Sequence, residues 1–386
     1  MVEVARREAP VFFSPAVNAW VITRFADAEA VLRDPARFTS RDILSITDLL
    51  SPEVKSLVEG RVPMEGTLSG LDGEVHARLR RVLNHAFTTA RIAELEVDVT
   101  ELVERLVAPL RGQTDAELVA DLCYPLPLWT ITRLIGIPDD EMPVFRRGVE
   151  DWAALTVAYI NGVDLELQLA MAERIIGLHD RIEELFDERR ATPRSDLLSA
   201  IVAREESDAL TPREMLSLVP GLFLAGHETI AQALAMGLYH LLERPERWEA
   251  LVAAPETVES VIEKALRLDG PVFGMWRNAA VDVELGGVTV PAGSRVYVSY
   301  WSANLDAERY PDPGGFDPAR ANRLHLGFGR GIHYCIGAPL ARMELRVALT
   351  TLARDFPGLR LAPGFAPEYT PHFFLRGIRA LPVTLG

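Results

Sequence analysis

Apolar residues recur at helical spacing from about residue 72 to residue 268, and again from 338 to 355. Short breaks are expected at Pro125, Pro127, Pro138, Pro193 and Pro245. Alternation of the β type appears in Ala19-Trp-Val-Ile-Thr23, in Val281-Asp-Val-Glu-Leu285 and in Arg295-Val-Tyr-Val-Ser299, with turns supplied by Gly286-Gly287 and Pro291-Ala-Gly293. The pattern predicts a mainly α protein, a single domain over 1–386, with β-rich parts near 10–25, near 280–300 and at the C-terminus.

One predicted helix stands apart. Thr211-Pro-Arg-Glu214 is a capping box with proline at the first helical position, and the helix it opens can run to about Leu242. At 1.5 Å per residue that is about 45 Å. Most of this stretch is apolar, yet Gly226-His-Glu-Thr229 interrupts its middle. Those polar residues, with Gln232 and Pro220, argue against a membrane span. A buried Glu–Thr pair is costly unless it is solvated or hydrogen-bonded, so it needs a cause.

Composition narrows the class. The 386 residues are 48% hydrophobic and 25% charged, which is ordinary for a globular chain with a large core. A formal charge of −15 argues against nucleic acid or an anionic membrane surface as a general partner. The first residues carry no signal-peptide pattern, and a cytoplasmic monomer is expected. Two cysteines are too few for a four-cysteine zinc or iron–sulfur site. Cys123 lies among apolar residues and reads as core.

Cys335 differs. It sits in Phe328-Gly-Arg-Gly-Ile-His-Tyr-Cys335-Ile-Gly337, immediately before the helical pattern that starts at Ala338. Gly329 and Gly331 permit backbone turns that other residues avoid. A helix beginning just past the sulfur points its N–H groups and positive dipole end toward it, which favours thiolate over thiol. On a protected loop, such a sulfur reads as a metal ligand; the ordinary alternative is a buried cysteine beside a helix start.

This string resembles the haem-binding loop of the bacterial-type soluble cytochromes P450, from Phe328 through Gly329, Gly331, His333 and Cys335 to Gly337. The resemblance extends from about residue 10 to the C-terminus. It implies the cytochrome P450 fold, with haem b between a long distal helix and a proximal cysteine loop, and Cys335 as axial ligand of the iron. Ala225-Gly-His-Glu-Thr229 is similar to the family's oxygen-binding kink. There Gly226 would admit haem and O2 close to the backbone, the Thr229 hydroxyl would hold water or oxygen in place, and Glu228 would belong to the proton relay. His227 keeps a structural or solvated reading. His76 and Arg80, four apart on one helix face, resemble the family's propionate anchors, as do Arg277 and His333. Arg78 and Arg81 read as surface charge.

One position departs from the family. Relatives carry Glu-x-x-Arg locked to a later arginine. Here Arg267 and Arg320 fit the two arginines, but Lys264 stands where the glutamate is expected. Three cations together would be costly if buried. Glu263, near the same face, is the candidate substitute.

The resemblance implies a haem-thiolate monooxygenase acting on a small apolar or aromatic organic substrate, with O2 as co-substrate. No nucleotide-binding glycine loop or iron–sulfur cysteine set occurs in the sequence. Electrons would therefore come from a ferredoxin with its reductase, or from a flavodoxin-type donor. A peroxide-driven peroxygenase and a degenerate haem-binding scaffold are the alternatives. Candidate pocket segments are 65–69, 222–225, 272–275 and 372–375.

Overall fold

The computed structural model describes residues 2–41, 43, 50–63, 68–85, 87–158, 162–204, 210–318, 320, 324–370 and 375–386. In chain order the elements are α1 (Val2–Glu8), β1 (Val11–Ser14), β2 (Ala19–Ile22), α2 (Phe25–Arg33), β3 (Phe38–Thr39) and α3 (Pro52–Val58). Helices α4 (Gly73–Asn84) and α5 (Thr89–Val107), strand β4 (Asp115–Glu117) and helices α6 (Pro125–Ile135), α7 (Met142–Ala158), α8 (Leu165–Ala191) and α9 (Leu197–Val202) follow. Then come α10 (Pro212–Leu242), α11 (Pro245–Ala253), α12 (Val258–Asp269), β5 (Gly274–Ala279), β6 (Val283–Leu285), β7 (Val288–Val290), β8 (Arg295–Ser299) and α13 (Tyr300–Asn304). The chain closes with α14 (Ala338–Asp355), β9 (Arg360–Leu361) and β10 (Pro382–Thr384).

Contacts divide these elements into two compact units. The first is built from Met1–Ser40, Thr89–Leu128 and His227–Gly386; the second from Arg41–Thr88 and Trp129–Gly226. In the first unit a five-stranded sheet runs β1-β2-β8-β5-β3, parallel only where β2 meets β8. It joins strands from 11–39 to strands from 274–299, while the C-terminal strands β9 and β10 and the 283–290 hairpin stand in separate sheets. Inward residues of β2 and β8, Ile22, Val296 and Val298, pack against Phe25, Val31 and Leu32 of α2 and against Tyr310. Each aliphatic side chain so buried contributes roughly 1.5–3 kcal/mol before the ordering cost. The β6–β7 hairpin turns on Gly286 and Gly287, both at positive φ (56° and 81°), as a two-residue turn matched to the strand twist requires. β4 joins the C-terminal strands in the order β4-β10-β9.

The second unit is helical. α3 packs on α8, and Val54 and Val58 meet Ala172, Ile175 and Ile176 in its core. The buried Arg189 at the end of α8 donates to Asp196 Oδ2 and to the Gly136 carbonyl, each at 2.6 Å.

Three expectations need correction. Pro127 does not break the chain: with Pro125 it lies in the first turn of α6, where a missing N–H costs little. A strand, β4, interrupts the helical stretch, because Asp115–Glu117 pairs with β10. Helices α2 and α3 precede residue 72, where only strand alternation was read. The capping box forms as expected: Thr211 N donates to Glu214 Oε2 at 2.8 Å and Glu214 N to Thr211 Oγ1 at 3.2 Å. Among the described residues no helix is long and apolar enough to cross a membrane.

Candidate active site

Cys335 ends a tightly turned loop. Gly329 and Gly331 both take positive φ, 68° and 70°. A Cβ on Gly331 would lie 2.2 Å from the Leu32 carbonyl oxygen, so only glycine lets the loop pass α2 this closely. Cys335 N donates to the Phe328 carbonyl at 3.0 Å, closing the loop on itself. Gly337 caps α14, with Ala341 N donating to its carbonyl at 2.9 Å, and Pro339 occupies the first turn. The sulfur therefore lies just ahead of an 18-residue helix. Cys335 is exposed rather than enclosed by its loop, whereas Cys123 is fully buried and its thiol is pushed up by burial. An accessible sulfur at a helix start, in a loop fixed by its own backbone, fits a thiolate-bound metal group.

Other candidates of the first unit gather near this loop. Arg277, on β5, is buried and donates to the Trp276 carbonyl at 2.6 Å. Tyr300, which sequence reasoning missed, is buried at the start of α13. A Cβ on Gly329 would stand 3.3 Å from its hydroxyl. Burial pushes the Tyr300 pKa up to about 12, with Arg277 opposing and Cys335 reinforcing the shift. Cationic Arg277 and the Cys335 sulfur thus act on one phenol. His333 ends a short helical turn at Gly331–His333 and is half-buried. These donors suit a cofactor carrying carboxylates as well as a metal.

Helix α10 is unbroken through Gly226-His-Glu-Thr229. Ala225 and Thr229, one turn apart, keep solvent access together with Glu228, while Phe223, His227 and Ile230 on the opposite side are buried. The middle of this largely apolar helix thus carries one accessible face, with Glu228 and Thr229 on it. His227 has a packing role: its ring meets Tyr124 edge-on at 4.3 Å. Gly226 has one too. A Cβ there would come within 2.7 Å of Ile131 Cδ1, so glycine sets the approach of α6 to α10 within the second unit.

On α4, His76 is buried and its pKa is lowered, first by burial and then by the neighbouring charge of Arg80, so it stays neutral at pH 7. Arg78 is no surface charge: it is half-buried and paired with Glu214 of α10. Arg81 does face solvent, with Glu74. Residues 65–67 and 372–374 of the candidate pocket segments lie outside the described residues.

The proximal departure resolves into two separate networks. Arg267 donates to the carbonyls of Asn304, Pro313 and Gly315 at 3.0, 2.6 and 3.0 Å, and forms no ion pair among the described residues. Arg320 donates to the carbonyls of Pro311 and Asp312. Burial and the charge of Arg320 lower the Arg267 pKa. Glu263 does not join this cluster. It turns to Arg342 and His325 instead, because the face of α12 that carries it packs on α14.

Comparison with known proteins agrees with this geometry. The cytochrome P450 family profile matches residues 159–358. The chain is 38% identical to nocardicin C N-oxygenase of Nocardia uniformis subsp. tsuyamanensis, over 95% of this chain and 89% of that protein. It is 36% identical to cytochrome P450 monooxygenase PikC of Streptomyces venezuelae, over 95% of this chain and 85% of that protein. Its fold superposes on the crystal structure of CalO2 with a TM-score of 0.90 at 30% identity, covering 100% of this chain and 95% of the other. With the cysteine loop, the distal helix and the whole fold in agreement, the chain belongs to the cytochrome P450 family, as a haem b monooxygenase that incorporates oxygen from O2.

Proposed function

We propose that this monooxygenase inserts one oxygen atom of O2 into a small apolar or aromatic organic substrate, by hydroxylation, epoxidation or O-/N-dealkylation. Electrons come one at a time from a separate ferredoxin system or flavodoxin-type donor. The observation that carries the reading is the accessible face of Ala225, Glu228 and Thr229 in the middle of an otherwise apolar helix. When bound, haem supplies the centre at which O2 is reduced and its O–O bond split.

The chain's own residues divide the remaining work. Cys335 supplies the thiolate, and Phe328, Gly329 and Gly337 shape the loop that presents it. Arg277 and His333 hold carboxylates of the cofactor, and the family resemblance assigns the same task to His76 and Arg80. Thr229 donates or accepts a hydrogen bond at the oxygen, and Glu228 passes protons inward. The candidate pocket segments 222–225 and 272–275 are each rich in apolar residues, Leu222 and Leu224 in the one and Val272, Phe273 and Met275 in the other. Similarity to an N-oxygenase supports testing nitrogen as an oxidised atom.

Two measurements test the reading. The reduced, carbon monoxide-bound protein should show the strongly red-shifted Soret band of thiolate-ligated haem, and Cys335→Ser should lose it. A parent band at the histidine-ligated position would overturn Cys335 as ligand. Turnover of small aromatics should require NADH with surrogate redox partners. Peroxide-driven turnover alone would mark a peroxygenase.

A further inference from the structure

Glu263 stands one residue before the departure at Lys264, and its carboxylate is spent elsewhere. Arg342 Nε donates to Oε1 at 2.6 Å and Nη2 to Oε2 at 3.1 Å, a bidentate pair between α12 and α14. His325 Nε2 meets Oε2 at 3.1 Å. The histidine tautomer follows from its other bond: Gly327 N donates to Nδ1 at 3.0 Å, so Nδ1 carries no proton and Nε2–H is the donor to Glu263. Burial lowers the His325 pKa, in keeping with a neutral ring. Burial alone would raise the Glu263 pKa, but the bonds from His325 and Arg342 hold it at about 2.

Both partners lead to the cysteine loop. The Arg342 guanidinium lies over the Phe328 ring at 4.5 Å, and its Nη1 donates to the Tyr334 hydroxyl at 3.3 Å. Phe328 accepts from Cys335 N, and Tyr334 directly precedes Cys335. His325 fixes Gly327, one residue before Phe328. One carboxylate therefore braces the loop at its entry and at its exit.

We propose that Glu263 is a positioning residue for Cys335, holding Arg342 and His325 so that Phe328 and Tyr334 keep the sulfur in register with the cofactor. The proposal rests on Cys335 being the iron ligand. It also gives the acid of this α12 segment a task distinct from the Arg267–Arg320 pair.

The test uses holoenzyme and reads the spectrum and the reduction potential rather than activity. Glu263→Gln keeps the shape and removes the charge. Its reduced, carbon monoxide-bound form should lose the red-shifted band several-fold faster than the parent. Its reduction potential should move to more positive values, because Arg342 is left uncompensated. Glu263→Asp should restore part of both properties. Ile262→Val, a core truncation on the same helix outside the network, serves as the control at matched melting temperature. Equal band loss in that control, or an unchanged band and potential in Glu263→Gln, would overturn the proposal while leaving Cys335 as ligand. Absence of the red-shifted band in the parent would overturn both. If Glu263→Gln yields no holoenzyme, Arg342→Gln takes its place: the red-shifted band should again be lost several-fold faster than in the parent, and the potential should move to more negative values, because the Glu263 carboxylate is then the uncompensated charge.

Discussion

Lys264 Nζ donates to the backbone carbonyl of Arg320 at 3.3 Å, from a side chain only 1% exposed. An ammonium thus occupies the place where a carboxylate would bridge two arginines. Among the described residues, Arg267 Nε and Arg320 Nε are both buried without an acceptor. Carbonyl dipoles offset part of the cost of these cations, but a dipole neutralises no charge.

Restoring the acid should therefore stabilise the protein. Lys264→Glu offers acceptors to the two Nε–H groups, and a gain of roughly 1–3 kcal/mol is expected for a buried charge that regains a partner. Melting temperature and haem occupancy should both rise. Unchanged values would show that the carbonyl ligands already satisfy Arg267 and Arg320.

Thr229→Ala should leave haem content and substrate binding nearly unchanged, since Thr229 lies on the accessible face of α10 and not among its packed residues. Coupling should fall, with several-fold more hydrogen peroxide released per NADH consumed. The parent's ratio in the variant would make Thr229 a structural residue.

Gly226→Ala should cost about 1–3 kcal/mol, the range for forcing an extra methyl into a packed contact. Ile131 is the group in the way. Chemical denaturation of Gly226→Ala, Ile131→Val and the double variant forms a cycle, and the double variant should be more stable than the sum of the singles. Strict additivity would locate the cost of Gly226→Ala elsewhere.

His240 gives a pH dependence with a definite sign. Burial opposes its protonation, but hydrogen bonds to Asp269 and Glu243, each at 3.2 Å, raise its pKa to about 9. A folded pKa above the unfolded value near 6.5 means the stabilisation is complete below about pH 6.5 and is lost as pH rises through about 9. The contribution is roughly 1–3 kcal/mol. Melting temperature should fall between about pH 6.5 and pH 9.5 in the parent, with a shallower slope in His240→Gln. Parallel slopes would remove His240 from the balance.

The elements legible in the sequence are those whose signals are local. The capping box at Thr211 gives α10 its start, and the glycine spacing before Cys335 gives the loop its turns. Gly286-Gly287 gives a hairpin. Strand β4 was hidden because three polar residues become a strand only when β10 lies alongside. The Glu263 network escaped for the same reason, since its partners His325 and Arg342 are 62 and 79 residues away. Tyr300 carried no motif at all; only the fold brings its hydroxyl to Gly329. Lys264 was visible as a departure, but nothing local showed that carbonyls of Asn304, Pro313 and Gly315 would surround Arg267.

The parallel pairing of β2 with β8 sets the order of events at the ribosome. Trp20, Val21 and Ile22 emerge early, yet their partners Val296, Tyr297 and Val298 are made some 276 residues later. At about 5–20 residues per second, β2 waits between roughly 14 and 55 seconds for the strand that covers its inner edge. During that interval the β1–β2 hairpin is an open apolar edge, of the kind that chaperones bind and that other chains can capture. A transcript cut short before β8 would yield a product with that edge permanently exposed, destined for degradation or aggregation rather than partial function.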